Sequence, residues 1–222
     1  MIFFLPHPMQ VISALTRISK IMELSNITFA GPEYKEGFEI ESLLPDNLVS
    51  ILKQVNGFIQ FSGGLHVRGI CKEPEWHSIE YALNGKSSIH SLFDEVKETD
   101  IPFAQDCVAD QYLLRNGEVI KLHSETGEIE ALNFGLASFF AEVSGNPIEF
   151  LGLEPLMQLH NENIALNPGQ VIHVYPPFCT KEASNGVSLK PVDALEAHSY
   201  LAKLSSQIGS MPDGEVIKFN VE

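Results

Sequence analysis

Apolar residues recur along this chain in two alternating rhythms. Leu44, Leu48, Leu52 and Val55 lie at helical spacing, Pro45 suits a first turn and Asn56-Gly57 supplies a left-handed stop, which predicts a helix of about eleven residues. Shorter runs follow at 58–61 and 65–70, flanking Ser62-Gly63-Gly64, a spacing that predicts a tight hairpin. The acids and Pro74 make 71–76 a loop, and Ile89, Leu92, Phe93 and Val96 predict a second helix over 88–96.

The middle of the chain is the most regular. Strands are predicted at 102–104, 111–115, 118–123 and 128–133, with Asn116-Gly117 as a two-residue hairpin turn and Glu125-Thr126-Gly127 as a second turn. Three consecutive antiparallel strands make a meander, and a helix from Leu136 to Val143 would lie across it. Pro147 restarts a helix over 148–159. Beyond it, 170–175 alternates as a strand, Pro191 is expected to open a helix through Leu195, Ala202 and Ile208, Pro212-Asp213-Gly214 is a turn, and 215–221 alternates again. This strand, helix and strand (161–222) bury too little surface to stand alone and are expected to pack on the main sheet. At the other end, a strand is predicted at 25–30, with Gly31, Pro32 and Gly37 marking a loop after it. Before it, Val11, Leu15, Ile18 and Met22 give 1–24 a helical spacing that suits either a packed helix or one that meets a partner, and Met22 is an alternative start. The expected organisation is thus an N-terminal helical segment (1–24), a main domain (25–160) and the extension.

Charge sharpens this picture. Fourteen Lys and Arg against 29 Asp and Glu leave −15, which opposes binding to nucleic acid or anionic lipid and favours a basic partner. Between Glu73 and Glu154, sixteen acids face only Lys86, Lys97, Arg115 and Lys121, so one face or end of the fold should be strongly negative. Cys71, Cys107 and Cys179 show no CxxC spacing and read as free thiols of a reducing compartment, which makes the cytoplasm the expected location. Pro6 and Pro8 break the apolar start, against a secretory signal, and no stretch is apolar enough to span a membrane.

Candidate chemistry is sparse. Gly63-Gly64 leads into a strand rather than a helix, against a phosphate-binding loop, and no Gly-x-Ser-x-Gly elbow occurs. Glu75, His77, Glu80 and His90 lack the two-His spacing of a metal site, and no cofactor is expected. Asp106 with Asp110 could pair for acid-base work, or cap backbone N–H groups in a loop. Cys107 with His123 could form a thiol and base, though a buried structural thiol is the commoner arrangement.

Leu44-Pro45, Leu48, Leu52 and Asn56-Gly57, then Ile101-Pro102-Phe103-Ala104-x-Asp106, Asp110-x-Tyr112-Leu113-Leu114, Gly117-Glu118-Val119 and Leu136-Ala137-Ser138-Phe139 resemble the SUKH superfamily over about residues 40–145. That superfamily includes fungal cell-wall-assembly regulators and many bacterial immunity proteins. The pattern departs at Ala109, where the family usually has Gly. The resemblance implies an α+β domain, mainly antiparallel sheet with flanking helices, without catalytic residues and used as a protein-binding module. The expected function is therefore an immunity protein that neutralises a basic toxin domain, for instance a nuclease. An intracellular scaffold of the same fold and a small enzyme using Asp106, Asp110 or Cys107 are the alternatives. The expected partner-binding acids are Asp94, Glu95, Glu98 and Asp100, with Asp106, Asp110, Glu118, Glu125, Glu128 and Glu130 along the meander.

Overall fold

A computed structural model describes residues 26–209. Seven strands form one sheet in chain order, each antiparallel to the next: β1 (Ile27–Ala30), β2 (Phe58–Gln60), β3 (Leu65–Val67), β4 (Ile101–Asp106), β5 (Gln111–Arg115), β6 (Glu118–His123) and β7 (Glu128–Ala131). The expected hairpin and meander are both present. The β5–β6 turn uses Asn116 and Gly117 at φ 54° and 86°, the left-handed pair that a two-residue turn requires.

The chain covers both faces of this sheet. On one face lie α1 (Asp46–Leu52), α4 (Leu136–Gly145), α5 (Pro147–Leu151) and α6 (Glu154–Asn161), whose Leu48, Leu52, Phe139, Phe140 and Leu156 pack with Phe58, Leu65, Tyr112 and Leu114 of the strands. The other face carries Leu113, Ile120 and Leu122, covered by α3 (Ile89–Leu92) and by α7 (Ala194–Ile208) through Ala197, Leu201 and Leu204. A separate hairpin, β8 (Gln170–Tyr175) with β9 (Ser188–Asp193), is fastened to the sheet where Ile172 N–H donates to Cys107 C=O at 2.7 Å. The fold is α+β, a seven-stranded antiparallel sheet with helices and a C-terminal β-hairpin and helix.

Several elements depart from the sequence expectations. Pro191 does not open a helix: it lies in β9 opposite Ile172, in a two-stranded ladder where its missing N–H is tolerated, and the helix waits for Asp193, whose Oδ1 accepts from Leu195 and Glu196 N–H. The extension is therefore strand, strand and helix up to 209. The turn at 212–214, the strand expected at 215–221 and the N-terminal helical segment 1–24 lie outside the described residues. The helix expected over 88–96 shrinks to α3, because Phe93 turns extended to bury its ring. A helix not foreseen, α2 (Ile79–Asn84), precedes it, capped by Ser78 Oγ accepting from Tyr81 N–H. Helix α1 ends three residues before Val55, and Gly57 makes the stop at φ 75°, where an added Cβ would also strike the Gly69 backbone. Ala109, the departure from the family pattern, sits at φ 72°, the left-handed conformation for which glycine is the unstrained choice.

Leu52 is fully buried at the centre of the first cluster. Leu52→Ala is expected to lower stability by about 2 to 4 kcal/mol, read as a shift of the urea midpoint. A loss below about 1 kcal/mol would mean that α1 is peripheral to the core.

Candidate functional site

The expected acids separate into two populations. Asp94, Glu95 and Glu98 are exposed on the turn that follows α3. Asp100 is not part of an exposed cluster: it is 1% exposed, gripped by Arg115 through Nε to Oδ1 at 2.9 Å and Nη2 to Oδ2 at 2.6 Å, and it accepts from Lys97 N–H. Arg115 also donates to Glu95 C=O, so this bidentate pair pins the acidic turn against the end of β5. Of the four acids expected here to meet a partner, three are exposed, and the fourth serves as their anchor.

Asp106 and Asp110 are likewise structural in placement. Asp106 is buried; its Oδ1 accepts from the N–H groups of Val108 and Asp110, and its Oδ2 lies 3.2 Å from Lys121 Nζ, an ion pair out of hydrogen-bond alignment. Asp110 shares the same ammonium at 3.1 Å and accepts from Ser124 N–H. Burial and the neighbouring Asp110 push the Asp106 carboxyl up to about 7, against the pull of Lys121. Asp110, despite its own burial, is held below the usual carboxylate range by His123, Lys121 and Ser124 N–H. From Asp110 the charge chain continues outward to His123 at 3.5 Å and on to Glu130 at 3.0 Å, and the Asp110 hydrogen bond raises the His123 pKa. His123 thus pairs with carboxylates and not with Cys107, whose thiol is fully buried and pushed up in pKa by that burial.

Glu118 is exposed beside the β5–β6 turn. Glu125 is engaged instead: its carboxylate accepts from Phe178 and Cys179 N–H at 3.1 and 2.9 Å, tethering the β8–β9 connection. Glu128 and Glu130 are exposed on β7, which is an edge strand of the sheet. Together with Asp94 and Glu95 they line one open groove of about 920 Å³, with Ile129 and Leu92 in its wall and the end of α7 along its far side. Two acidic segments separated by more than thirty residues therefore meet on one surface.

Sequence reasoning missed a second polar cluster, inside the fold. Arg68 is 1% exposed and has no carboxylate partner among the described residues. Its Nη1 donates to Pro102 C=O at 3.1 Å and, at 3.4 Å, to Ala104 C=O, and its Nη2 to the side-chain carbonyls of Gln105 and Gln111 at 2.8 and 2.7 Å. Burial alone depresses its pKa to about 9. His198 of α7 caps the cluster, with Nε2 2.9 Å from Gln105 Oε1 and 3.2 Å from Gln111 Nε2. Beside it, His66 Nε2 and His77 Nδ1 are 2.8 Å apart, and His77 Nε2 is 3.1 Å from Asn56 C=O. Along β3 and the residue after it, His66 and then Arg68 alternate with Leu65 and Val67, a pattern that reads as a solvent face. The available signal was Gln105, Gln111 and His198: polar residues inside otherwise apolar segments. Among the described residues, no group of three or more His, Cys, Asp or Glu is placed to hold a metal, and no helix is long and apolar enough to cross a membrane.

No family model matches the chain, and no curated protein matches it. Among solved structures, it is similar to the crystal structure of Atu4351 from Agrobacterium tumefaciens, at 12% identity and a TM-score of 0.50, with 81% of this chain and 86% of that one covered. At that identity the likeness is one of fold alone.

Proposed function

We propose that this chain is a SUKH-type protein-binding module of the cytoplasm, an immunity protein that captures a basic toxin domain in its acidic groove. The observation that carries this reading is the convergence of Asp94 and Glu95 with Glu128 and Glu130 around one open surface. Carboxylates gathered on a concave edge attract a cationic active-site cleft over distance and favour its docking in one orientation. Ile129 and Leu92 supply apolar contact at the centre of that charge, as the core of a protein interface requires. The motif resemblance over 40–145 and the net charge of −15 support the same class of partner.

The test is capture of binding proteins from a lysate of the source cells at low and high salt, using the wild type and the variant Asp94→Asn, Glu95→Gln, Glu128→Gln, Glu130→Gln. A basic toxin domain should be retained by the wild type, with association to the variant about tenfold slower at low salt and the difference shrinking as salt rises. Equal association rates would remove the groove from the interface. Retention of an acidic partner instead would overturn the reading.

A further inference from the structure

A cavity of about 210 Å³ lies between the sheet and the segment leading into β8, on the side opposite the acidic groove's edge strand. His66 and Gln105 line it, and Phe29, Ile59, Leu166 and Val171 provide apolar walls. His66 and Gln105 are register partners across β3 and β4, so their side chains leave the sheet side by side, with Cβ atoms about 5 Å apart.

The hydrogen-bond network dictates what each presents. Asn56 C=O can only accept, so His77 carries its proton on Nε2 and leaves Nδ1 bare. His66 Nε2, 2.8 Å from that bare nitrogen, must therefore be the donor. In neutral His66 the second nitrogen, Nδ1, is then an open acceptor, and the neutral form is the one that burial beside Arg68 favours. Gln105 is oriented just as firmly, because its Oε1 accepts from Arg68 Nη2 and lies 2.9 Å from His198 Nε2. Its Nε2 is thereby left as a donor, and no group among the described residues accepts from it. Gln105 is 2% exposed and His66 5%, so both are buried polar groups facing a cavity with one hydrogen-bonding function to spare. The Arg68 charge drawn onto Oε1 polarises the Gln105 amide and makes its N–H a stronger donor. Asp106, which also lines the cavity, spends its Oδ1 on two backbone N–H groups, while its Oδ2 meets Lys121 Nζ only as an ion pair.

We propose that this cavity is a binding site for a small neutral cyclic amide. The ligand's carbonyl would accept from Gln105 Nε2, its N–H would donate to His66 Nδ1, and its ring carbons would rest on Phe29, Ile59 and Leu166. An acceptor and a donor on adjacent atoms match a donor and an acceptor on adjacent strands, and the volume equals roughly seven waters of 30 Å³ each, enough for one small ring. A carboxylate is the wrong ligand, because it would set its charge against the His66 lone pair.

Binding of 2-piperidone to the full chain, followed by calorimetry and by the ¹⁵N shift of the His66 ring, tests the site. Cyclohexanone (same ring, no N–H) and acetate (an anion) are the comparators. The expected result is that 2-piperidone binds at least tenfold more tightly than either and shifts His66 Nδ1. The variant Ala165→Phe, a substitution at an exposed position that narrows the cavity without touching the network, should weaken binding at least tenfold while leaving the melting temperature near that of the wild type. Acetate binding in preference to the lactam, no binding of 2-piperidone at millimolar concentration, or undiminished binding by folded Ala165→Phe would each overturn the proposal. His66→Phe adds a readout at the acceptor itself and should lower the preference for lactam over ketone.

Discussion

Replacing Arg68 by alanine is expected to remove about 3 to 5 kcal/mol of stability. Gln111 Oε1 and Pro102 C=O would lose their donor in a site with 1% exposure, and each buried acceptor left unpaired costs about 1 to 3 kcal/mol. A cavity the size of a guanidinium would add to this. An opposing term comes from the charge itself: a guanidinium whose pKa is depressed to about 9 resists its own burial, and removing it relieves that penalty. The cavity contribution separates in Arg68→Met, which keeps most of the volume and discards the charge just as alanine does. Its loss should be smaller, about 2 kcal/mol, leaving mainly the orphaned acceptors. Urea midpoints of both variants measure the difference. Arg68→Met as stable as the wild type would show that those acceptors find other donors when the arginine is gone.

Acidification is expected to destabilise the fold well above the range where carboxylates titrate. His66, His77 and His198 are all held neutral by burial, His77 with a pKa of about 4, His198 of about 3 and His66 well below 6.5. In the unfolded chain the same three groups take up protons near pH 6.5, so below that value the unfolded state binds more protons and stability falls with pH. One group acts in the opposite sense across this interval: Asp106, raised to about 7, holds a proton in the folded state that favours it on the acid side. His123, raised by its bond to Asp110, is protonated in both states well below 6.5 and adds little to the slope. The balance is about one to two net protons, each worth about 1.4 kcal/mol per pH unit, or on the order of 3 to 6 kcal/mol between pH 6.5 and 4.5. Denaturation curves across that interval give the slope directly. His198→Gln retains a donor for Gln105 and should reduce the slope by about one proton; an unchanged slope would mean that His198 protonates within the folded protein.

What was legible in the sequence is what a local pattern controls. Asn56-Gly57 and Asn116-Gly117 announce themselves because only certain residues tolerate positive φ, and Leu48, Leu52, Phe139 and Phe140 reveal their helices by spacing. Pro191 misled because proline favours both a helix start and an edge strand, and the choice depended on the distant strand β8, with which it pairs. The acids show the same division. Their concentration was plain from composition, but which were free depended on where Arg115, Lys121 and the backbone of 178–179 came to rest. The buried polar cluster left the faintest trace, since polar residues alternating in a strand ordinarily mark a wet face. Here that face is covered by α7, contributed from the far end of the described chain.

That late covering bears on the order of events during synthesis. Pairings from β1 to β7 join strands adjacent in sequence, so the sheet can close progressively as the chain emerges. His198, by contrast, reaches Gln105 across 93 positions and cannot arrive until the ribosome has released α7. Through that interval one sheet face stands covered by little more than α3, and uncovered sheet faces are where nascent chains adhere to one another. Arg68, Gln105, Gln111 and His66 lie on that side, hydrated until the helix docks. A row of side chains that demands a closed network in the finished protein keeps the unfinished one wettable.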